Sequence, residues 1–444
     1  MSPSISETRT KNYFKQIKGS FLFKGLAILA SFLSIPLMIK YLGVEQYGVW
    51  STLLSIVSWI VLFDLGIGNG LRNKISESLA DDNKQSAQEY ISTAYTIIGA
   101  ISVVLILIFL LFRQFIPWQK IFNITVVSDS DLQSVVTVTI IFLLLNFWIS
   151  LINQVFNGFQ KTSLVVLNQF LSNLLSLLSV FILYEFYEPS LTKLAICYGI
   201  SLSISSLMLS FYFYKRNREY IPKINSFKLS YTKSIVSLGM KFFIIQIAVI
   251  AIFTTDKILI TQLFGPEYVT NYDVVFKLFS VITIVHGILM APLWSAYSDA
   301  YHRNDIRWIK MTFKSQLKIY FIIILATIAL IFLAKPIVKI WVGEEIFLDN
   351  ILVYSIALFI LFSTWNNIFA YFINATNKLY LALRINIFLA IANIPISLLY
   401  VKIFNFGVEG VVLGTVTSLV IGVVLAPWQS YNIIFNKGHT VWHR

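Results

Sequence analysis

Charge is scarce in this sequence. Only 12% of the 444 residues are Asp, Glu, Lys or Arg, whereas 57% are hydrophobic. A soluble globular domain carries about 25% charged residues, so this chain lacks the polar surface that a water-soluble protein of its size needs. The composition therefore excludes a cytosolic enzyme, a secreted globular protein and a disordered chain, and it indicates a polytopic membrane protein.

Ligands for metal and redox centres are also scarce. The sequence has one cysteine, Cys197, and four histidines, of which His439 and His443 lie close to the C-terminus. A single cysteine allows no intramolecular disulfide and no thiolate metal site. The phosphate-binding motif of ATP-driven motors, G-x-x-x-x-G-K-[ST], is absent as well. We therefore expect no resident cofactor, and we expect transport that is driven by an ion gradient or by the flux of the substrate.

What the sequence has in abundance is long apolar segments. A helix needs about 20 apolar residues to cross the hydrocarbon core of a bilayer. The sequence predicts an all-α polytopic membrane protein with about twelve transmembrane helices. The predicted spans are 20–41, 46–67, 91–112, 134–157, 163–184, 191–213, 235–263, 273–296, 316–334, 349–373, 380–402 and 408–430.

The basic residues predict how the chain is oriented. If the N-terminus is cytoplasmic, 22 of the 34 Lys and Arg residues fall in cytoplasmic segments, as the positive-inside rule requires. This distribution explains most of the net charge of +13 without a nucleic-acid partner, and it places both termini in the cytoplasm. The longest basic loop, 215–233, lies halfway along the chain. It predicts a cytoplasmic linker between two six-helix lobes, 1–214 and 234–444.

Five basic residues fall inside the predicted spans. At a helix centre each costs about 2.5–3.5 kcal/mol, so such residues usually face a helix-bundle interior or a water-filled cavity. The alternative is that the side chains near span ends reach back to the headgroups. Lys257 is deep and has Asp256 beside it, whereas Lys277 follows Asp273 by four residues, which is also the spacing of a structural ion pair. The five residues are Lys24, Lys241, Lys257, Lys277 and Arg384.

Polar residues recur at helical spacing in several predicted spans. They predict a polar, hydrated interior, but small polar side chains can also hydrogen-bond directly from helix to helix. Gly410 and Gly414 form a G-x-x-x-G pattern in the last span, which is typical of close helix packing. The asparagine-containing rows are Asn146, Asn153 and Asn157 in span four, Asn168 with Ser172 and Ser176 in span five, and Asn386, Asn393 and Ser397 in span eleven.

Two segments carry a family resemblance. Residues 41–75 (YLGVEQYGVWSTLLSIVSWIVLFDLGIGNGLRNKI) resemble the N-terminal signature of Wzx-type flippases for oligosaccharide lipids, in the multidrug/oligosaccharidyl-lipid/polysaccharide exporter superfamily. Residues 256–260 (DKILI), followed by 264–267 (FGPE), are similar to the family's seventh helix and outer turn. The resemblance implies two six-helix lobes around a central cavity that alternates between the two membrane faces.

The resemblance also implies a substrate and roles for residues. The substrate would be an oligosaccharide on undecaprenyl diphosphate, moved across the bacterial inner membrane, with glycosyltransferases and a polysaccharide polymerase as possible partners beside the membrane lipids. The five intramembrane cations would bind the diphosphate, and Asn146, Asn153 and Asn168 would suit the sugar hydroxyls. Candidates for coupling to H⁺ or Na⁺ are Asp64, Asp256 and Asp273, with a helix cap or an ion pair as the alternative for Asp64.

Two other functions remain open. One is a drug or metabolite antiporter of the same superfamily, which would favour cationic substrates and therefore an acidic cavity. The other is a membrane glycosyltransferase, for which Asp129-Ser130-Asp131 offers a D-x-D match. That match lies in a short predicted outer loop with no nucleotide-binding domain, so the sequence favours a transporter over an enzyme.

Overall fold

The computed structural model describes residues 5–59, 66–124, 127–302, 304–343, 346, 348–376, 378 and 380–435; side chains are described from residue 21, except for most of 237–253 and 291–299 and a few single positions. In these ranges the regular structure is helical. The helices are α1 (Ile5–Leu42), α2 (Val44–Ser58), α3 (Ile67–Ala80), α4 (Lys84–Phe112), α5 (Trp118–Phe122), α6 (Asp129–Ile149), α7 (Ile152–Gly158), α8 (Thr162–Phe186), α9 (Leu191–Arg216), α10 (Leu229–Leu263), α11 (Pro266–His302), α12 (Ile306–Trp341), α13 (Asn350–Ala375), α14 (Tyr380–Lys402) and α15 (Val408–Phe435).

Ten stretches in the described part of the chain are helical, long and apolar enough to cross a membrane. They coincide with ten of the twelve predicted spans, so the all-α polytopic fold is confirmed. The other two predicted spans, 46–67 and 235–263, include residues or side chains outside the described set. Helix α2 covers the first part of 46–67, and α10 covers the whole of 235–263. The ten are Phe21–Leu42, Lys84–Phe115, Asp129–Gly158, Thr162–Phe186, Leu191–Arg216, Pro266–Met290, Ile306–Trp341, Asn350–Ala375, Arg384–Lys402 and Val408–Phe435.

The chain forms two compact units, Met1–Ile247 and Ala248–Arg444, and the boundary falls inside α10. In the first unit α1 packs along α8, and α9 packs against both α6 and α8. Its apolar core joins α3, α4, α7 and α9 and includes the fully buried side chains of Ile75 and Phe156. In the second unit α13 packs against α11 and α15, and α14 packs against α15.

The basic segment 215–233 is docked onto α4 within the first unit. The ammonium of Lys228 forms an ion pair with the Glu89 carboxylate at 2.7 Å. The backbone N–H groups of Lys223 and Lys228 donate to the hydroxyls of Ser92 and Thr93, each at 3.1 Å. Because Glu89 is buried and Lys228 is its ion-pair partner, this contact fixes the segment against the helix.

We expect that Glu89→Ala releases this segment. The variant loses hydrogen bonds to a charged group, each worth about 1.5–3 kcal/mol, so trypsin should cut within 215–233 about tenfold faster. The control is Glu77→Ala, which removes an exposed pair with Lys74 and should leave the cleavage rate unchanged. Equal rates for the two variants would show that the Glu89 contact does not hold the segment.

The G-x-x-x-G pattern of the last span lies at a close helix contact. A Cβ added at Gly414 would lie 2.6 Å from the Cα and 2.7 Å from the backbone N of Ser397 on α14. Because real Cβ atoms do not approach backbone this closely, a glycine is needed for α14 and α15 to pack as they do.

Gly414→Ala should therefore destabilise the protein by about 1–3 kcal/mol, the usual cost of overpacking. Gly287→Ala on α11 is a matched control, since a Cβ there meets nothing within 4 Å. Thermal unfolding of both variants in detergent measures the difference. A Gly414→Ala midpoint equal to that of Gly287→Ala would contradict the packing.

Candidate functional site

Two of the predicted intramembrane lysines lie near one carboxylate in the second unit. Lys257 on α10 donates from Nζ to Oδ1 of Asp273 on α11 at 2.5 Å. Both side chains are largely buried, with 19% and 12% of their surface exposed. The sequence spacing suggested an Asp273–Lys277 pair within α11, but the structure pairs Asp273 with the neighbouring helix instead. That partner depends on how two helices face each other, which a spacing rule does not specify.

Lys277 is the second cation of this cluster. It follows Asp273 by one turn of α11, and Asp273 and Lys257 are the charged groups that act on it. Within the described part of the chain its ammonium forms no ion pair. The lysine cluster, which we define as Lys257, Asp273 and Lys277, therefore has one more positive charge than negative charges. Such an arrangement can bind an anion through charge-assisted hydrogen bonds.

A second polar group lies beside the lysine cluster in sequence, since Asp256 precedes Lys257. Asp256 is 4% exposed, and its Oδ1 accepts a hydrogen bond from Thr415 Oγ1 on α15 at 2.8 Å. Tyr272 on α11 also hydrogen-bonds to this carboxylate. The described residues provide no ion-pair partner for Asp256. A buried carboxylate without an ion-pair partner is unfavourable, and a proton or a bound cation would neutralise it.

Further oxygen atoms are linked to this carboxylate through Thr415. Oδ1 of Asn393 on α14 lies 3.0 Å from Thr415 Oγ1, and Ser397 Oγ lies 3.4 Å from the same amide oxygen. Ser397 also donates to the backbone carbonyl of Val411 at 3.1 Å. We call Asp256, Asn393, Ser397, Thr415 and this carbonyl the oxygen cluster. Hard cations such as Na⁺ prefer oxygen ligands of this kind. The described residues contain no group of three or more His, Cys, Asp or Glu that could hold a metal ion.

Sequence reasoning identified part of the oxygen cluster. Asp256 was a coupling candidate, and the polar row of span eleven contained Asn393 and Ser397. Thr415 and Tyr272 were not predicted, because each has polar neighbours in the sequence (Thr417 and Ser418, and Asn271 and Asp273) and nothing local distinguishes the one that contacts Asp256. The sequence did contain one signal for Thr415. This residue follows Gly414, where the G-x-x-x-G pattern predicts a close contact with another helix, and in the structure that helix is α14 with its polar row.

The asparagines of spans four and five meet in the first unit. Asn168 on α8 donates from Nδ2 to Asn153 Oδ1 at 3.0 Å and to Ser206 Oγ at 3.1 Å. Ser206 lies 3.5 Å from Asn146 Oδ1. These contacts are direct hydrogen bonds between helices, and Asn168 is buried. One acceptor, Asn168 Oδ1, has no partner among the described atoms.

The remaining candidates lie apart from these clusters or outside the described residues. Lys24 is half-buried on α1, near the point where Asn173 of α8 donates to the Ala27 carbonyl at 2.9 Å. Arg384 is exposed, with its guanidinium carbon 4.2 Å from the ring centroid of Tyr380. Asp64 and the side chain of Lys241 lie outside the described residues.

Comparisons with known proteins agree with the sequence resemblance. Residues 17–294 match the family described as polysaccharide biosynthesis protein. A Yersinia pseudotuberculosis protein whose name proposes O-antigen export is 25% identical over 90% of this chain and 91% of its own length. A Salmonella typhimurium protein, whose name proposes an O-antigen transporter, is 25% identical over 66% of each chain.

Solved structures share the fold. An inward-facing multidrug resistance transporter of the MATE family, in the MOP superfamily, has a TM-score of 0.76 at 14% identity and covers 93% of this chain and 96% of its own. An outward-facing structure of such a transporter has a TM-score of 0.59 at 17% identity, with 95% and 99% covered. At these identities the likeness concerns the fold alone, and it confirms the all-α polytopic architecture.

Proposed function

Because the chain belongs to the polysaccharide biosynthesis protein family, we propose that it is a flippase for a lipid-linked oligosaccharide. The substrate is an O-antigen or similar repeat unit on undecaprenyl diphosphate, moved from the cytoplasmic to the outer leaflet by alternating access. The names of the Yersinia and Salmonella relatives support O-antigen transport as the role. The function is translocation, and it includes no chemical step.

The observation that supports an anionic substrate most directly is the lysine cluster. Lys257 is already paired with Asp273, whereas Lys277 has no ion pair in the described part of the chain. A partly buried cation that forms no ion pair is unfavourable, and a bound diphosphate would supply a negative charge for it. The diphosphate oxygens would accept hydrogen bonds from both ammonium groups. In this proposal Asp273 positions Lys257 until the substrate arrives.

The oxygen cluster is the proposed coupling site. A proton or Na⁺ bound at Asp256 would neutralise the buried carboxylate, and the neighbouring hydroxyl and amide oxygens would complete its coordination. Asp256 and Lys257 are consecutive residues of α10, so a shift of this helix moves both sites together. Cation occupancy and diphosphate binding can therefore influence each other through one helix.

The membrane location, the partner enzymes and the remaining contact residues are part of the same proposal. We place the protein in the bacterial inner membrane with both termini cytoplasmic. Glycosyltransferases would build the substrate before transport, and a polysaccharide polymerase would use it afterwards. Asn146, Asn153 and Asn168 are proposed contacts for sugar hydroxyls, in which case their hydrogen bonds to one another are exchanged for bonds to the substrate. Lys24, Lys241 and Arg384 are proposed as further contacts for the diphosphate, and Asp64 and Asp273 as further coupling residues.

Deletion of the gene tests this function. We expect complete lipid-linked repeat units to accumulate on the cytoplasmic leaflet, while surface polysaccharide is lost and a plasmid copy restores it. The alternative function is an ion-coupled drug or metabolite antiporter, for which the net positive lysine cluster is poorly suited. Increased sensitivity to cationic dyes together with normal surface polysaccharide would establish the antiporter and overturn the flippase.

A further inference from the structure

A cavity of about 410 Å³ lies in the first unit where α1 and α8 end. Ligand pockets typically have volumes of about 300–1,000 Å³. Phe23 stacks on Phe170 earlier in the two helices, so α1 and α8 run in the same direction and their C-terminal ends meet. The walls of the cavity are the last turn of each helix and the turn that leads into α9. We define this end pocket by Lys40, Tyr41, Tyr184, Glu185, Tyr187 and Glu188.

Hydrogen bonds hold the turn that forms one wall of the end pocket. The Tyr41 hydroxyl on α1 donates to the backbone carbonyl of Glu188 at 2.9 Å. The backbone N–H of Tyr187 donates to the Leu183 carbonyl at 3.0 Å, where α8 ends. Because Tyr41 is 3% exposed, its ring is a fixed support for this turn. The shape of the pocket is therefore set by the protein before any ligand binds.

The charged groups of the end pocket are available to a ligand. Lys40, Glu185 and Glu188 are exposed, and none of them forms an ion pair in the part of the chain that the structure describes. The ammonium donates hydrogen bonds, whereas the carboxylates only accept them. With two carboxylates and one ammonium, the pocket repels a phosphate or a sugar acid. Hydroxyl groups can donate to the carboxylates and accept from the ammonium, so a neutral polyol fits all three groups.

The aromatic rings narrow the ligand class further. Tyr184 and Tyr187 are 43% and 53% exposed. A sugar ring carries C–H groups on its faces and hydroxyls around its rim, and slightly positive C–H groups pack against the negative face of an aromatic ring. Tyrosines are also common where membrane helices meet water. That general preference explains the tyrosines, but it does not explain why they line one cavity together with unpaired carboxylates.

We propose that the end pocket binds a neutral or amino sugar unit of a glycan. With cytoplasmic termini, the C-terminal ends of α1 and α8 face the outer leaflet, where a flippase delivers its glycan. The location and the source of the glycan therefore rest on the proposed function, whereas the carbohydrate chemistry follows from the pocket itself. The end pocket belongs to the first unit, and the lysine and oxygen clusters belong to the second.

Binding of a soluble glycan tests the end pocket without any translocation step. The probe is the repeat-unit oligosaccharide cut from the cell's own surface polysaccharide, free of lipid and diphosphate. Saturation-transfer NMR should detect its binding to the full-length wild type in lipid nanodiscs. Glu185→Gln/Glu188→Gln should raise the Kd about tenfold, because it removes hydrogen bonds to charged groups. Tyr184→Ala should raise it about fivefold, whereas Tyr184→Phe keeps the ring and most of the affinity.

Tyr354→Ala is the matched control. Tyr354 is 54% exposed in the first turns of α13, which belongs to the second unit, and its replacement should leave the Kd unchanged. The pocket side chains that are replaced are exposed, so thermal unfolding should show wild-type midpoints for all variants. No binding to the wild type, or wild-type affinity in both the glutamate variant and Tyr184→Ala, overturns the proposal.

A translocation assay with lipid-linked oligosaccharide in liposomes identifies the source of the glycan. If the pocket binds the transported glycan, Glu185→Gln/Glu188→Gln also slows the appearance of glycan in the outer leaflet. A normal rate, together with lost binding of the soluble oligosaccharide, assigns the pocket to glycan that is already at the cell surface. A wild type that binds the soluble oligosaccharide but moves no lipid-linked glycan would overturn the flippase function and support the carbohydrate pocket.

Discussion

Replacement of Lys277 by Ala should lower the transport of lipid-linked oligosaccharide about tenfold to hundredfold, while the amount of folded protein in the membrane stays the same. Lys277 forms no ion pair in the described part of the chain, so its removal leaves no internal carboxylate without a partner. What the variant loses is the hydrogen bond from the Lys277 ammonium to the bound diphosphate. A hydrogen bond to a charged group is worth about 1.5–3 kcal/mol, which corresponds to the expected factor.

Two further variants separate charge from packing. Lys277→Arg keeps a cation with suitable donors and should retain most of the transport. Lys257→Ala removes the ion pair of largely buried Asp273, so it should lower stability as well as transport. Lys257→Ala/Asp273→Ala removes both charges and should recover the stability but not the transport. Normal complementation of a deletion strain by Lys277→Ala would show that the lysine cluster does not bind the substrate.

Asp256→Asn should abolish the dependence of transport on an ion gradient. Asparagine has nearly the same shape and can still accept the hydrogen bond from Thr415, but it can neither take up a proton nor offer Na⁺ a negative charge. We expect transport at the low rate that the wild type shows without a gradient. Thr415→Ala should have a smaller effect, about fivefold, because it removes one hydrogen bond of about 1 kcal/mol and leaves the Asp256 carboxyl in place.

The measurement uses proteoliposomes in which a Na⁺ gradient and a pH gradient are imposed one at a time. The gradient that accelerates the wild type identifies the coupling ion. Thr417→Ala is the control on the same helix, since the Thr417 hydroxyl lies 3.1 Å from that of Tyr400 and outside the oxygen cluster. An Asp256→Asn protein that still responds to the gradient would contradict the coupling role of this carboxylate.

The sequence predicted the helices well, because a long apolar segment has few alternatives to a membrane helix. Ten predicted spans agree with observed helices, and the depth of Lys257 was inferred from its distance to the span ends. The G-x-x-x-G pattern likewise predicted the close packing at Gly414. These properties depend on the local sequence, so they can be read without knowing which helices are neighbours.

The contacts between helices could not be predicted in the same way. The pairing of Lys257 with Asp273 depends on the relative rotation of α10 and α11, and the approach of Thr415 to Asp256 depends on a contact between residues 159 positions apart. A spacing rule considers only one helix at a time, so it favoured an ion pair between Asp273 and Lys277 within α11. It also could not distinguish a hydrated cavity from the direct hydrogen bonds that Asn168 makes in the structure.

Translocation by the purified protein is the most direct test of the flippase proposal. The protein is reconstituted into liposomes that contain an undecaprenyl-diphosphate oligosaccharide, and a lectin added outside measures how much glycan reaches the outer leaflet. We predict rapid exposure of the glycan with the wild type, and exposure about tenfold or more slower with Lys277→Ala. Equal rates for the wild type, Lys277→Ala and protein-free liposomes would contradict the proposal.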